Sequence, residues 1–561
     1  MNLLGKAADH SFWSEVVKND IHYKKFLNEK LADWDKYCEG KIITELKYSD
    51  FKNFFTTGNR SVYESQYFKR RGMLVTSAVL ALIYPEEEKY INLLNDIIFA
   101  ICDEYTWCVP AHHPELDVYD KTFIDLFASE TGFSLAEIYT LLGNRLDKIV
   151  KDRIKIEIQS RIIDSFMSDR HFWWAERCTN NWAAVCGGSV GCTCMLMRPD
   201  LFPKIKERLD AIMERFLSGF KSDGYCLEGT GYWHYGFGFF VTYADMLKTF
   251  TDGAENYFER DKVRVIATFL QKMFLSGTSA VSFADGGDVL NYHIGLLHYL
   301  KNLYPDDIKV YSPDYSYIRD NCHRTCLTLR AATWLSPEIY DTPVDVASDA
   351  EYYADESQWY VRRTKNYGLA AKGGCNAEHH NHNDVGAFIF AKGGKQIITD
   401  MGRGAYTKQY FRNETRYDFI ETSSLGHSVP FFGKVIQKFG AKFASANTKL
   451  ENGVFSLDIA GAYGAEEVKS VLRSFSFTDK SVILNDKFVY TGNEKITDRL
   501  SLKEKPSLQG DTVIAGELTV KFNPSEADVI FSEVTTSKKM IIYFADFILK
   551  DGVNEITLII E

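Results

Sequence analysis

The hydrophobic period of this chain changes once, between Pro337 and Glu351, and that change limits its architecture more than any other feature. Ahead of it, apolar residues recur at three- and four-residue spacing, the signature of helices with one buried face. The pattern runs over 61–108 with a break at Pro85, then over 135–167, 202–220, 232–250 and 262–275. Pro203 suits the first turn of its helix, where a missing N–H costs nothing. Short polar links and no fixed-length repeat point to stacked helical hairpins, in an open solenoid or a closed α/α toroid. Beyond the change the period is two. Candidate strands are Trp359–Arg363, 367–372, 388–391, 396–399, 455–459, 512–522, 540–547 and 555–560, with 470–477 and 481–490 flanking a Thr-Asp-Lys turn. So many short strands imply a sandwich of antiparallel sheets. The expected class is therefore α+β multidomain, a helical domain over 1–340 and a β-sandwich over 341–561. The run Asp341-Thr342-Pro343-Val344-Asp345 reads as the linker.

At 561 residues the chain is too long for one core, which agrees with two or three domains. A net charge of −11 argues against a general nucleic-acid binder, although a locally basic cleft could still take an anionic polymer. The start, Met-Asn-Leu-Leu-Gly-Lys, lacks a basic region followed by an apolar core, and no apolar run reaches membrane-spanning length. The expectation is a cytoplasmic protein without a membrane partner, or a secreted one if a leader has been removed. Eleven cysteines are an odd number. Cys178, Cys186, Cys192, Cys194 and Cys226 crowd together without paired CxxC spacing, so they read as reduced, buried small residues. Nothing in the sequence addresses oligomeric state.

Chemistry concentrates in 375–430. His379, His380 and His382 put three of the 13 histidines in one short run, and His427 is the last in the chain. The run enters an apolar strand, a Gly393-Gly394 turn follows, and Asp400 ends the next strand. As a hairpin this returns Asp400 beside His382. If the strand has begun by His380, then His380 and His382 share a face. Two imidazoles and a carboxylate fit a divalent transition metal, zinc first. Either both histidines of the HxH pair chelate, or one binds metal while the other faces a substrate. The bland alternative is a polar turn whose histidines cap strand ends.

Three stretches of the helical half carry less ordinary patterns. Asn180-Asn181-Trp182 opens a small-residue helix, either as a cap or with an Asn amide aimed into a cleft. Glu228-Gly229-Thr230-Gly231-Tyr232-Trp233-His234-Tyr235-Gly236 sets aromatics among glycines at a helix start, where Tyr232 and Tyr235, three apart, would share a helix face. Aromatic core packing is the alternative. Ser282 to Asp288 reads as a loop whose carboxylates could be caps.

Taken in order, Asn-Asn-Trp, Glu-Gly-Thr-Gly-Tyr-Trp-His-Tyr-Gly, His-His-Asn-His-Asn-Asp-Val-Gly, Asp400 and Ser-Leu-Gly-His427-Ser-Val-Pro resemble the heparinase II/III-like polysaccharide lyases over roughly residues 170 to 435. The resemblance implies an α/α toroid, a β-sandwich and β-elimination on a uronate-containing glycosaminoglycan of heparan sulfate, hyaluronan or chondroitin type. By that resemblance Asn181 binds the uronate carboxylate and Tyr232 protonates the glycosidic oxygen, with Tyr235 as the alternative tyrosine. His380 would be base or carboxylate neutraliser. His382, Asp400 and His427 would hold one structural zinc. Trp182, Glu228, Trp233, Arg403 and Arg416 are candidate substrate contacts, with surface ion pairing the alternative for the arginines. Trp182 stands where some relatives carry His, so His234 is the candidate replacement. Competing readings are an alginate or other uronate-oligomer lyase, a carbon-5 epimerase, and a non-catalytic carbohydrate-binding protein. A hydrolase would need a carboxylate pair, for which Glu228 with Asp285 or Asp288 is the best available.

Overall fold

A computed structural model describes residues 2–116, 120–318, 320–344 and 349–561. Asp345 of the expected linker lies outside the described residues. The chain packs as two units. One holds residues up to Gly219, then His234–Arg264 and Tyr292–Val344. The other holds Phe220–Trp233, Val265–Asn291 and the segment from Asp345 to the end.

The first unit is built of helices joined by short links. Ser61–Ile83 packs on Lys24–Tyr37 and on Glu88–Cys102. Asn181–Met197 packs on Leu126–Leu142, Phe202–Ser218 and Gly238–Phe250. That central position explains its composition. Nearly every residue of Asn181–Met197 is buried, so no polar face is needed and small residues let neighbours close in. A Cβ at Gly187 would meet Ile212 at 2.7 Å, and one at Gly191 would meet Tyr243 at 2.5 Å. The crowded cysteines follow from the same packing: Cys186, Cys192 and Cys194 are free, buried and held protonated by burial. Buried ion pairs cross-link the helices, Arg71 with Glu104 and Arg330 with Glu137.

The second unit is a pair of antiparallel sheets. One runs, in order, Ala527–Thr535, Ile541–Leu549, Ile496–Leu502, Lys395–Ile398, Phe388–Lys392, Gly368–Lys372, Trp359–Arg363 and Ala350–Ala354, with Phe431–Phe432 beside Ile496–Leu502. The other runs Ala446–Glu451, Val454–Asp458, Val468–Phe477, Val482–Tyr490, Glu555–Ile560, Leu518–Lys521, Thr512–Ala515 and Ser507–Gln509. Alternate side chains of both fill one core, in which Phe388 meets Phe475 with ring centroids 5.3 Å apart. The run 512–522 is two strands rather than the single one expected. Gly516, at φ +57°, supplies the left-handed residue on which Ala515 turns back to pair with Leu518.

Two features of this unit prepare the site. The expected hairpin is present, with Lys392 paired to Lys395 across Gly393 and Gly394. Arg473, fully buried between the sheets, binds Asp486 and Asp498 and gives its remaining N–H groups to the carbonyls of Gly386 at 2.9 Å and Ser428 at 2.7 Å. Those carbonyls sit next to the loops carrying Asp384 and His427, so one guanidinium pins both loops. Five planar donors suit such a junction, and a lysine could not satisfy it. Among the described residues no helix is long and apolar enough to cross a membrane.

Candidate active site

The strand that follows the histidine run begins only at Phe388, later than a shared face for His380 and His382 requires. His380 instead sits in a loop at φ +56°, a left-handed conformation uncommon for a residue with a Cβ. The two imidazoles meet different oxygens of one carboxylate, Asp285. His382 points into a buried cluster with Asp384, Asp400 and His427, whose ligand atoms all lie within 4.8 Å of one another.

The cluster has the marks of a metal site. His382 Nδ1, His427 Nδ1, Asp384 Oδ2 and Asp400 Oδ2 are all buried without a hydrogen-bond partner among the described residues. Nδ1 of His427 and Oδ2 of Asp400 are 2.9 Å apart, yet not aligned as a hydrogen bond. Four buried polar atoms converging without partners would each carry a desolvation cost that a shared cation removes. The opposite ring nitrogens are engaged: Nε2 of His382 lies 3.2 Å from Asp285 Oδ1, and Nε2 of His427 lies 3.0 Å from the Glu421 carbonyl. Metal-binding imidazoles are oriented in this way by an acceptor behind them. Lys372 donates to the other oxygen of Asp384 at 2.7 Å, while Glu378, Asp384 and Asp400 outnumber this single ammonium. Burial disfavours a charged His427, but Asp400 outweighs it and holds the imidazole above its usual range. Two imidazoles and two carboxylates fit a divalent ion in a closed four-ligand site.

Asp285 is the hub beside this cluster. Its Oδ2 accepts from His380 Nδ1 at 2.5 Å and from the Tyr406 hydroxyl at 3.0 Å. Its Oδ1 accepts from the Tyr410 hydroxyl at 2.8 Å and from Arg416 at 3.4 Å, besides His382. Burial alone would raise its pKa, but the hydrogen bonds from His380 and His382 outweigh it and hold the carboxyl well below the usual range. An ionised carboxylate only accepts, so Nδ1 of His380 carries a hydrogen, and the neutral ring then has its lone pair on Nε2. That Nε2 lies 3.7 Å from Glu228. Tyr232 stacks on the His380 ring at 4.1 Å, and its hydroxyl meets that of Tyr406 at 2.8 Å. A phenol and an imidazole lone pair thus stand side by side. Burial holds the Tyr232 phenol well above its usual pKa, so it rests protonated.

The remaining candidates take varied positions. Trp233 is fully buried and gives its indole N–H to the Ile266 carbonyl at 2.9 Å, which corrects its reading as a sugar contact. Arg416 is buried too, with donors spent on the carbonyls of Asn381 and Tyr410 as well as on Asp285. Arg403 is exposed, its guanidinium 5.0 Å from the Tyr406 ring centroid. Asp288 pairs with Lys503 rather than with a carboxylate partner.

In the helical unit, Asn180 caps the helix, accepting from Trp182 N at 3.1 Å. Asn181 is the first helical residue, buried, its amide oxygen without a partner among the described residues. Gly236 packs against it, where a Cβ would come within 3.0 Å. Trp182 is half-buried against His112 and Trp173. His234 is buried with its ring edge toward Tyr317. The Tyr235 hydroxyl is bonded to Glu130, under the guanidinium of Arg324 at 3.9 Å from its ring. Tyr232 and Tyr235 therefore do not share a helix face as expected. Trp233–Phe237 is a π-turn, whose wider coil takes residues three apart off one face.

Asp384, Asp285 and Tyr406 are the participants that sequence reasoning left without these contacts. Asp384 had a readable signal in its residue type, a carboxylate two residues after His382. Asp285 had none, since its partners are about a hundred residues away in sequence.

No family model and no curated protein matches the sequence. Solved structures do match. A heparan sulfate lyase from Pedobacter heparinus superposes with a TM-score of 0.59 at 12% identity, covering 99% of this chain and 90% of that one. Heparinase III gives 0.62 at 13% identity, covering 100% and 85%. The chondroitin AC lyase of Streptomyces coelicolor A3 gives 0.60 at 8% identity, covering 100% and 82%. The chain has the fold of these lyases. The expected order, a helical toroid followed by an antiparallel β-sandwich, is the observed one. At such low identities the likeness speaks to fold, and chemistry must be argued from the site.

Proposed function

We propose that the protein is a polysaccharide lyase that cleaves a uronate-containing glycosaminoglycan by β-elimination. The observation that carries this reading is the pairing of Tyr232 with His380, one a proton donor and the other a lone pair held by Asp285. Elimination needs both. Nε2 of His380 takes the proton from carbon 5 of the uronate. The electrons of that C–H bond form the carbon 4–carbon 5 double bond as the bond from carbon 4 to the glycosidic oxygen breaks. That oxygen takes the hydroxyl proton of Tyr232. Imidazolium and phenolate remain, and a proton returning from one to the other restores the resting site. Removal of a weakly acidic proton also needs the neighbouring carboxylate neutralised, a task this reading gives to the Asn181 amide. Exposed Arg403 suits an acidic sugar. Trp182, half-buried among aromatic rings, suits a sugar face.

His382, Asp384, Asp400 and His427 would hold one ion, and zinc suits the donor set. The ion would tie the His382 and His427 loops together, a structural role, and supply no proton. The test is ultraviolet absorbance during incubation with heparan sulfate, heparin, hyaluronan, chondroitin and dermatan sulfates, and alginate. The unsaturated uronate absorbs, whereas products of hydrolysis or epimerisation do not. A rise on a glycosaminoglycan supports the reading and names the substrate. A rise on alginate alone moves the substrate class, and no rise on any refutes the lyase.

A further inference from the structure

Tyr406 lies between Asp285 and Tyr232, and the hydrogens of this chain of contacts can run in only one direction. Asp285 collects hydrogens from His380, His382, Tyr406, Tyr410 and Arg416. A carboxyl surrounded by five donors accepts from all of them, so the Tyr406 hydrogen is committed to Oδ2. The 2.8 Å contact with Tyr232 must then be made by the hydrogen of Tyr232, donated to the Tyr406 oxygen. Tyr232 rests with its proton on a neighbour that is unable to return the bond.

Resting on the lyase reading above, we infer that Tyr406 is a positioning residue with two hydroxyl settings. In the resting site it accepts from Tyr232. Once Tyr232 has given its proton to the glycosidic oxygen, the Tyr406 O–H turns from Asp285 to the phenolate and donates to it. Asp285 loses one donor of five and keeps His380 in place. No atom is transferred to or from Tyr406; one hydrogen bond is exchanged for a stronger one to a charged oxygen. The hydrogen-bond sequence Tyr232–Tyr406–Asp285–His380 gives acid and base one shared anchor.

The test combines kinetics with a spectrum of the resting protein. Tyr406→Phe is isosteric and keeps the ring contacts. It is expected to lower kcat about 100- to 1,000-fold with KM held within about twofold, as loss of a donor to a developing oxyanion does. In a Tyr232→Phe background the same change is expected to cost nothing further, because Tyr406 acts through the Tyr232 oxygen. In parallel, 3-fluorotyrosine placed at position 232 reports its hydroxyl by fluorine NMR, and Tyr406→Phe is expected to shift that resonance. An unmoved resonance overturns the inference whether or not the protein turns over. Equal kinetic losses in both backgrounds overturn it as well, since they mark a structural role. Wild-type protein inactive on every substrate, with the resonance shifted, refutes the lyase reading and the phenolate role together while the resting Tyr232–Tyr406 hydrogen bond stands.

Discussion

Replacing Asp285 by Asn keeps the shape of the hub and changes its chemistry. The carboxylate receives two donors on Oδ2, His380 and Tyr406, and three on Oδ1, His382, Tyr410 and Arg416. An amide has one oxygen and one NH2 group, so one set must face hydrogens. The set with three donors, one of them a guanidinium, will hold the oxygen. That turns the NH2 toward His380 and Tyr406. His380 then accepts on Nδ1, moves its hydrogen to Nε2 and loses the lone pair that takes the carbon 5 proton. Wrong-tautomer placement of a general base costs about 10²- to 10⁴-fold in kcat. Two bonds to a charged acceptor are lost as well, about 3–6 kcal/mol of native stability at roughly 1.5–3 kcal/mol each. Initial rates of absorbance increase at saturating substrate measure the first effect, and urea unfolding measures the second. A folded Asp285→Asn protein with kcat within about threefold of the parent would refute the assignment of His380 Nε2 as the base.

Tyr232→Phe should lose about 10²- to 10⁴-fold in turnover while keeping substrate affinity, as loss of a general acid does. Tyr235→Phe should act on stability instead, since its hydroxyl serves buried Glu130; steady-state kinetics and thermal melts separate the two. Elemental analysis should find about one divalent ion per chain, and Asp384→Ala or chelation should remove it and lower the thermal transition, in keeping with a closed structural site. Burial pushes Glu130 up to about 7, so the folded state keeps a proton that the unfolded chain has lost. Stability should therefore be fullest below about pH 4.5 and fall by on the order of 3 kcal/mol as pH rises to 7, a slope that Glu130→Gln should flatten in denaturant titrations across that range.

Much of the architecture was legible because periodicity is a local property. Alternation placed Trp359–Arg363 and the Lys392–Lys395 hairpin, and three- and four-residue spacing found the helices around Asn181. The strands Ile496–Leu502 and Ala527–Thr535 were not seen. The first mixes buried Asp498 and Ser501 with leucines, and the second is an exposed edge strand with little apolar alternation. In the site, residue type and the hairpin pointed to a metal near His382 and Asp400 but left open which histidines chelate; the resemblance supplied the set with His427, and all three meet in the buried cluster. The left-handed turn at His380 was not readable, and without it the histidine run looks like the start of a strand. Trp233 misled because glycine-rich surroundings suggested a cleft, whereas the ring fills the core beneath the turn.

The sheet unit takes two of its pieces, Phe220–Trp233 and Val265–Asn291, from the middle of the helical half. These pieces bring Tyr232 and Asp285; the loops between the strands bring His380, His382 and Tyr406. A fragment cut at the change of period would keep both sheets and the four candidate ligands, yet lack the carboxylate that faces two of the histidines. Such a fragment could bind a metal while its reactive imidazole went unheld. During synthesis the order is reversed: Asp285 leaves the ribosome 95 residues ahead of His380, with every donor it will meet still untranslated. A buried anion cannot wait in a finished core, so this loop must stay hydrated until the strands arrive. Completion of the site is then a late folding event, governed by long-range closure rather than by the speed of the helices.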